Sequence, residues 1–116
     1  LVCNHDGSLL SGESLHDATA SLLPLNPHAI LINCTSAPDT LNPLQTLRKC
    51  TNLPIGAYAN VGYLNEQNDW VQTMAVNPDC YAKYALSWSA AGATLIGGCC
   101  GTQPDHIDTL RKLLSL

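Results

Sequence analysis

The stretch Ala93-Thr-Leu-Ile-Gly-Gly-Cys-Cys-Gly-Thr102 decides how the rest of this chain is interpreted. It opens with an apolar run typical of a buried strand, and two adjacent cysteines follow where that run ends, just before a helix start. Glycines flank the cysteine pair, and glycine adopts backbone angles that are closed to other residues. The sequence therefore predicts a strand over 93–98 that presents Cys99 and Cys100 at its carboxyl end.

Strand and helix patterns alternate before and after this stretch. Leu1-Val-Cys3 indicates the tail of a strand whose beginning is absent, and apolar runs predict further strands at 29–33 and 54–59, the former stopping at Cys34. Capping residues and apolar periodicity predict helices over 14–23, 39–50, from 77–78 to Gly92, and from 102–105 onward. Residues 63–76 have no clear period and are predicted to be a long polar loop. The alternation predicts an α/β fold of parallel βα units.

Helical spacing also predicts which side chains are buried. The third predicted helix is expected to bury one face, made up of Tyr81, Tyr84, Ala85 and Trp88. The last predicted helix is expected to bury a face made up of Ile107, Leu110 and Leu113. We expect three cysteines to pack as small buried hydrophobes: Cys3, Cys50 and Cys80. None of the histidines fits a ligand spacing, so His5, His16, His28 and His106 are expected to be solvated or locally hydrogen-bonded.

The composition limits the classes of function. With 116 residues the chain is long enough for one domain, and its charged fraction of 12% is low beside an apolar fraction of 46%, which indicates surface meant for burial against a partner. The net charge of −4 and the lack of a basic run argue against a nucleic-acid partner. No apolar run is long enough for a membrane span and no leader is evident, so a cytoplasmic protein with reduced thiols is expected.

The strand ends carry the residues that point to chemistry. In a parallel sheet all strand carboxyl ends lie at one edge, so Asn33-Cys34, Asn60-Val-Gly62 and the cysteine pair are expected to converge there. One intervening strand would separate Cys34 from the pair, a distance of about 10 Å that loops can close. Three thiolates at one point would form a tetrahedral zinc site with one position free for a thiol substrate. A buried, inert cysteine pair is the alternative.

These motifs closely resemble those of the homocysteine S-methyltransferase family. The resemblance is carried by Ile32-Asn33-Cys34, Tyr58-Ala-Asn-Val-Gly62 and Ile96-Gly-Gly-Cys-Cys-Gly-Thr102, and it extends to Asp6-Gly7 and Pro104-Asp-His-Ile107. It implies a (β/α)8 TIM barrel, of which this chain would be the C-terminal half, strands five to eight. Residues 1–116 would then form a single, partial homocysteine-binding domain.

The resemblance also implies a reaction and its site. Zn²⁺ would be held by Cys34, Cys99 and Cys100 and would bind the thiolate of homocysteine, which takes a methyl group from S-methylmethionine, betaine or methyltetrahydrofolate and becomes methionine. Four further residues are expected to shape the site or contact the substrate: Asn33, Asn60, Gly97 and Gly98. Trp70 is a candidate to cover the methyl donor.

The sequence departs from the family pattern in two ways. By this resemblance, residues 1–116 would lack the first half of the barrel, with the acidic residues and the Asp-Gly-Gly region that help to place homocysteine. Ala59 stands where relatives usually carry proline, which leaves the identity of the donor open.

Two other hypotheses remain open. The chain could be a noncatalytic half-barrel whose open sheet edges pair with a second copy or with a separately encoded N-terminal half-barrel. It could instead be a redox protein that uses Cys99 and Cys100, although adjacent cysteines form a strained ring and lack the two-residue spacer of common dithiol motifs.

Overall fold

The computed structural model describes residues 1–114, which form four α-helices and five β-strands. The strands are β1 (Ile30–Ser36), β2 (Ile55–Asn60), β3 (Gly62–Leu64), β4 (Trp70–Gln72) and β5 (Ala93–Gly98). The helices are α1 (Leu15–Leu22), α2 (Leu41–Cys50), α3 (Pro78–Ala90) and α4 (Pro104–Leu113). Three short 3-10 turns occupy Leu23–Leu25, Ala37–Asp39 and Met74–Val76. The last two residues of the predicted domain, 115 and 116, lie outside the described residues.

The three long strands form a parallel sheet in the order β1-β2-β5, as the βα alternation predicted. Strand β5 has the predicted bounds, and β2 is displaced by one residue from the predicted range. The prediction that the first strand stops at Cys34 is wrong, because β1 continues to Ser36. It does so through a register shift between Asn33 and Ser36, a local irregularity that a sequence pattern does not reveal.

The first residue lies beside the outer edge of β1. The Leu1 nitrogen donates to the Leu31 carbonyl (2.7 Å), and the Leu1 carbonyl accepts from the Asn33 N–H (2.8 Å). This pair of bonds has the pattern of a parallel ladder, in agreement with the predicted strand tail. Cys3 departs from that course and forms an antiparallel bridge with Leu9.

The helices cover one face of the sheet. Side chains on that face are buried, among them Ile32, Ile55 and Ala57, each 0% exposed. The opposite face carries Leu31 and Leu95, of which Leu95 is 44% exposed. Within residues 1–114 no helix packs on this second face, and the shortest extent of the molecule, 18 Å, is about the thickness of one sheet and one helical layer.

Helix starts follow the predicted caps. The Ser14 hydroxyl accepts from the Asp17 N–H at the start of α1, and the Asn77 side-chain oxygen accepts from the first turn of α3. The predicted core face of α3 is confirmed for Tyr81, Ala85 and Trp88, which are buried, whereas Tyr84 is half-buried. None of the helices within residues 1–114 has the length and apolar character that crossing a membrane requires.

The predicted inner face of α4 is wrong at two of its three positions. Leu110 is buried, but Ile107 and Leu113 are 47% and 44% exposed. The buried neighbour is His106, whose Nε2 lies 3.1 Å from the Ala75 carbonyl while its Nδ1 accepts from the Gln103 N–H (3.0 Å). The predicted local hydrogen bond of His106 is thus present, formed with Gln103. The side chain is not solvated, because α4 turns the side that carries His106 toward α3 and the turn that holds Ala75.

The burial predicted for the three lone cysteines holds only for Cys3. Cys50 and Cys80 are half-buried. Cys50 is the last residue of α2, and Cys80 lies in the first turn of α3. Both positions are at helix ends, where neighbouring elements cover the side chain less completely.

The predicted polar loop over 63–76 is also wrong. Strands β3 and β4 pair there as an antiparallel hairpin, and a 3-10 turn follows. The hairpin turn is closed by the Asn65 side-chain oxygen, which accepts from the N–H groups of Gln67 (3.0 Å) and Asp69 (2.9 Å). The strands are too short for alternation to be visible in the sequence.

Candidate metal centre

Three cysteines, one within β1 and two directly after β5, meet beside the sheet. The Sγ atoms of Cys34, Cys99 and Cys100 all lie within 4.8 Å of one another. Cys34 and Cys99 are half-buried, and Cys100 is exposed. The fold thus brings together the three residues that the sequence analysis proposed as ligands.

Cys34 has an unusual backbone conformation. Its φ of +53° lies in the left-handed region, which costs a residue with a side chain about 1–2 kcal/mol. It sits within the register shift of β1, where the regular pairing with β2 is interrupted and the side chain can turn toward the neighbouring strands. The Asn33 side-chain N–H donates to Cys34 Sγ at 3.3 Å.

The cysteine pair lies in a turn that continues from β5. The Cys99 N–H donates to the Ala59 carbonyl (2.9 Å), and the Cys100 carbonyl accepts from the Val61 N–H (3.0 Å). The Cys99 carbonyl accepts from both the N–H (3.1 Å) and the hydroxyl (2.7 Å) of Thr102. These bonds hold the pair against the end of β2.

The flanking glycines contribute differently to this turn. Gly101 has a φ of +81°, and a Cβ at Gly98 would collide with the Thr102 side chain. Gly97 remains in β5, where an added Cβ would lie at an ordinary 3.5 Å from the Tyr58 Cβ. The prediction that glycine lets the backbone leave the strand conformation at the pair is therefore confirmed for Gly101 alone, because Gly97 and Gly98 both remain in β5 and Gly98 is needed only to make room for Thr102.

Asn60 connects the two halves of the site. Its side-chain N–H donates to the Cys34 carbonyl at 2.8 Å, and its side-chain oxygen accepts from the Cys100 N–H at 3.0 Å. Asn60 ends the middle strand and is only 8% exposed. Its amide therefore ties the backbone of Cys34 to that of Cys100, and the predicted contact of Asn60 with substrate stays a prediction.

The surroundings of Cys99 favour a protonated thiol when no cation is bound. The pKa of the Cys99 thiol is raised to about 12, mainly by burial and in smaller part by the neighbouring Cys34 thiol. A metal cation reverses this preference, because it binds the thiolate and displaces the proton. The donor set of three sulfur atoms suits a borderline-soft ion such as zinc better than the hard ions that prefer oxygen ligands.

A cleft of about 710 Å³ opens beside the cysteines. Cys34 and Cys100 line it, with Asn60 at the strand ends and Tyr63 and Trp70 from the hairpin of β3 and β4. Trp70 is 42% exposed, so its ring is accessible from the cleft. The role predicted for Trp70 in covering a donor stays a prediction.

Two further residues hold the site and were not identified from the sequence. Thr102 closes the turn after the pair, and its position three residues beyond Cys99 is a weak signal for such a bond. Tyr81 was expected only to fill the core. Its hydroxyl accepts from the Ala59 N–H (3.1 Å) and donates to the Gly97 carbonyl (2.7 Å), which helical spacing does not indicate.

The fold and the cysteine cluster define a class of thiol-lined α/β proteins, and comparison with known proteins identifies the family. A sequence model described as "Homocysteine S-methyltransferase" matches residues 1–114. The chain belongs to the homocysteine S-methyltransferase family, which confirms the resemblance of its motifs.

Individual relatives agree with this assignment. The chain is 34% identical over 110 residues to homocysteine S-methyltransferase 3 of Zea mays, a match of 92% of this chain and 32% of the relative. It is 37% identical to selenocysteine methyltransferase of Astragalus bisulcatus over 75% of this chain and 26% of that protein. The metallated form of the homocysteine methyltransferase MmuM from Escherichia coli superposes with a TM-score of 0.70 and 36% identity, over 91% of this chain and 32% of MmuM. The chain thus spans about a quarter to a third of the length of these relatives.

Proposed function

We propose that this chain is the metal-holding part of a zinc-dependent homocysteine S-methyltransferase. The observation that carries the proposal is the meeting of three cysteine Sγ atoms, one from within β1 and two from the turn after β5, within 4.8 Å of one another. Family membership and the likeness to a metallated relative support it. Residues 1–116 would then be a partial homocysteine-binding domain, corresponding to strands five to eight of a (β/α)8 barrel.

The residues present fit a zinc ion. Cys34, Cys99 and Cys100 would supply three thiolate ligands, and three protein ligands leave one position for a substrate. A tetrahedral site with metal–sulfur distances of about 2.3 Å needs sulfur atoms about 4 Å apart, close to the spacing of this cluster. When bound, zinc would lower the pKa of the homocysteine thiol, so that a thiolate is available at neutral pH.

The chain's own residues would place the two substrates in the cleft. Cys34 and Cys100 line it on one side, so homocysteine would enter with its sulfur toward them. Asn33, Tyr58 and Gly97 are in register across the sheet and form the last row that spans all three strands. We place substrate contacts on Asn33 and Gly97 of this row, with Asn60 and Gly98 holding the cysteines.

The methyl transfer is a nucleophilic displacement. The homocysteine sulfur forms a bond to the methyl carbon while the bond from that carbon to the donor sulfur breaks, and the electron pair stays with the donor. With S-methylmethionine as donor, both products are methionine and no electron acceptor is needed. Trp70 would close over the donor from the hairpin and exclude water from the transfer.

Metal analysis tests the proposal directly. Chain purified under reducing conditions is expected to contain about one zinc ion, and Cys34→Ala is expected to lose it. Cys50→Ala is the matched control, because Cys50 is a half-buried cysteine at the far end of α2. A folded wild-type chain that takes up no zinc would refute the proposal, and thiol titration before and after zinc removal would reveal a redox pair instead.

A second candidate is a noncatalytic half-barrel that associates with a second copy or with a chain supplying the other half. The uncovered sheet face, with Leu95 44% exposed, favours it, as does the free edge of β5. Sedimentation distinguishes the two: a well-folded, zinc-loaded monomer would contradict association. A zinc site held by three thiolates needs reduced cysteines, and we propose the cytoplasm as the site of action.

A further inference from the structure

A tyrosine from α3 reaches between two strands directly before the cysteine pair. Tyr81 is fully buried, and its hydroxyl lies 3.1 Å from the Ala59 nitrogen and 2.7 Å from the Gly97 oxygen. Tyr58 pairs with Gly97 and Ala59 with Gly98 at this point of the parallel ladder, and the hydroxyl also lies 3.2 Å from the Ala59 carbonyl oxygen. The hydroxyl therefore bridges the two paired strands, accepting from Ala59 of β2 and donating to Gly97 of β5.

The groups next to this hydroxyl hold the cysteines. The Ala59 carbonyl accepts from the Cys99 N–H at 2.9 Å. The next residue, Asn60, binds the backbones of Cys34 and Cys100. A change in the separation of β2 and β5 at Tyr81 would thus reach every cysteine of the cluster through one or two hydrogen bonds.

The ring of Tyr81 is held independently of its hydroxyl. It packs edge-on against the rings of Trp88 and His106, with centroids 5.4 Å apart in both cases. Burial raises the pKa of Tyr81 above its ordinary value, so the hydroxyl keeps the proton that it donates to Gly97. Phenylalanine would retain the ring contacts and remove only the bridge between the strands.

We infer that Tyr81 is a positioning residue for the cysteine site, whose hydroxyl sets the spacing of β2 and β5 where the pair leaves the sheet. This inference rests on the proposed metal site. Tyr81 would thus contribute to the affinity of the site for metal although its side chain contacts none of the three sulfur atoms. A role in packing alone would change the stability of the fold and leave the affinity of the folded protein for metal unchanged.

Tyr81→Phe in the full chain tests this distinction. The metal-free variant is expected to fold, its affinity for zinc to fall by about tenfold or more in chelator competition, and the thiolate absorption bands of its cobalt form to shift. Tyr84→Phe is the control, because Tyr84 lies on the same helix but lines a separate cleft with Leu41 and Met74. Its affinity and cobalt spectrum are expected to match the wild type.

Two results would count against the inference in different ways. Equal zinc affinities of Tyr81→Phe and Tyr84→Phe, with wild-type binding intact, would overturn it and leave the metal site standing. A wild-type chain that binds neither zinc nor cobalt would overturn both.

A second readout does not depend on the folding of Tyr81→Phe. The four tyrosines of the chain can be replaced by 3-fluorotyrosine, and the fluorine resonance of Tyr81 assigned by elimination with phenylalanine variants of the other three. That resonance is expected to move on addition of zinc, and the resonance of Tyr84 to stay. A Tyr81 resonance that does not respond would contradict the coupling.

Discussion

Cys34 and the cysteine pair reach the same point by different means. Cys34 lies inside a strand, in a left-handed conformation, and its carbonyl is held by a side chain from the neighbouring strand. The pair lies in a turn after β5, where Gly98 and Gly101 allow the backbone path and Thr102 closes it. One half of the site therefore depends on a distant contact, and the other half mostly on its own residues.

The largest effect is expected from changes to the glycines beside the cysteine pair, the half of the site that depends mostly on its own residues. Gly101→Ala places a side chain at a φ of +81° and against Val61, so we expect the free energy of unfolding of the metal-free chain to fall by about 2–4 kcal/mol. Gly98→Ala is expected to be destabilising through its collision with Thr102. Urea denaturation measures both effects.

Gly97→Ala is the matched control for these variants. Its added Cβ meets only the Tyr58 Cβ, at 3.5 Å, and we expect a change of about 1 kcal/mol or less. Equal losses in all three glycine variants would show that the turn after β5 is not the sensitive feature.

Asn60→Ala tests the other half of the site, in which Cys34 depends on a contact from the neighbouring strand. This change leaves the Cys34 carbonyl and the Cys100 N–H without their partner, and we expect zinc affinity to fall by about 10- to 100-fold. Chelator competition on the folded chain measures it, with the exposed Asn52→Ala as control. Unchanged affinity would mean that Cys34 keeps its conformation without Asn60.

The pH dependence of zinc binding shows how strongly the cluster holds its protons. Because burial raises the pKa of Cys99 to about 12, zinc must displace a proton from this thiol at any neutral pH. The apparent affinity is therefore expected to rise with pH, by about tenfold per pH unit for each proton released. Calorimetry in buffers of different ionisation enthalpy counts those protons, and a pH-independent affinity would contradict the shift.

The smallest expected effect concerns the hydrogen bond to Cys34 Sγ. Asn33→Ala removes the donor at 3.3 Å, and because sulfur is a weak acceptor we expect zinc affinity to change by only about two- to threefold. The same competition assay applies. A loss of zinc affinity as large as that of Asn60→Ala would mean that Cys34 is held mainly by Asn33 of its own strand and less by Asn60 of the neighbouring strand.

Much of the fold could be predicted from local patterns. Strand β5 and the starts of α1 and α3 follow directly from an apolar run and from the capping residues Ser14 and Asn77. The hairpin of β3 and β4 was missed because three-residue strands show no period. The buried side of α4 was misjudged because α3 and the turn at Ala75 decide which stripe of that helix is covered.

The sequence by itself determined the βα order, the parallel sheet and the glycine-flanked cysteine pair, because periodicity, caps and glycine act over a few neighbouring residues. Only the tertiary structure decided the left-handed turn of Cys34, the amide bridge of Asn60 and the place of the Tyr81 hydroxyl. Asn60 acts across 26 residues to Cys34 and across 40 to Cys100. Such bonds depend on the register and separation of strands, which exist only once the sheet and its helices have packed.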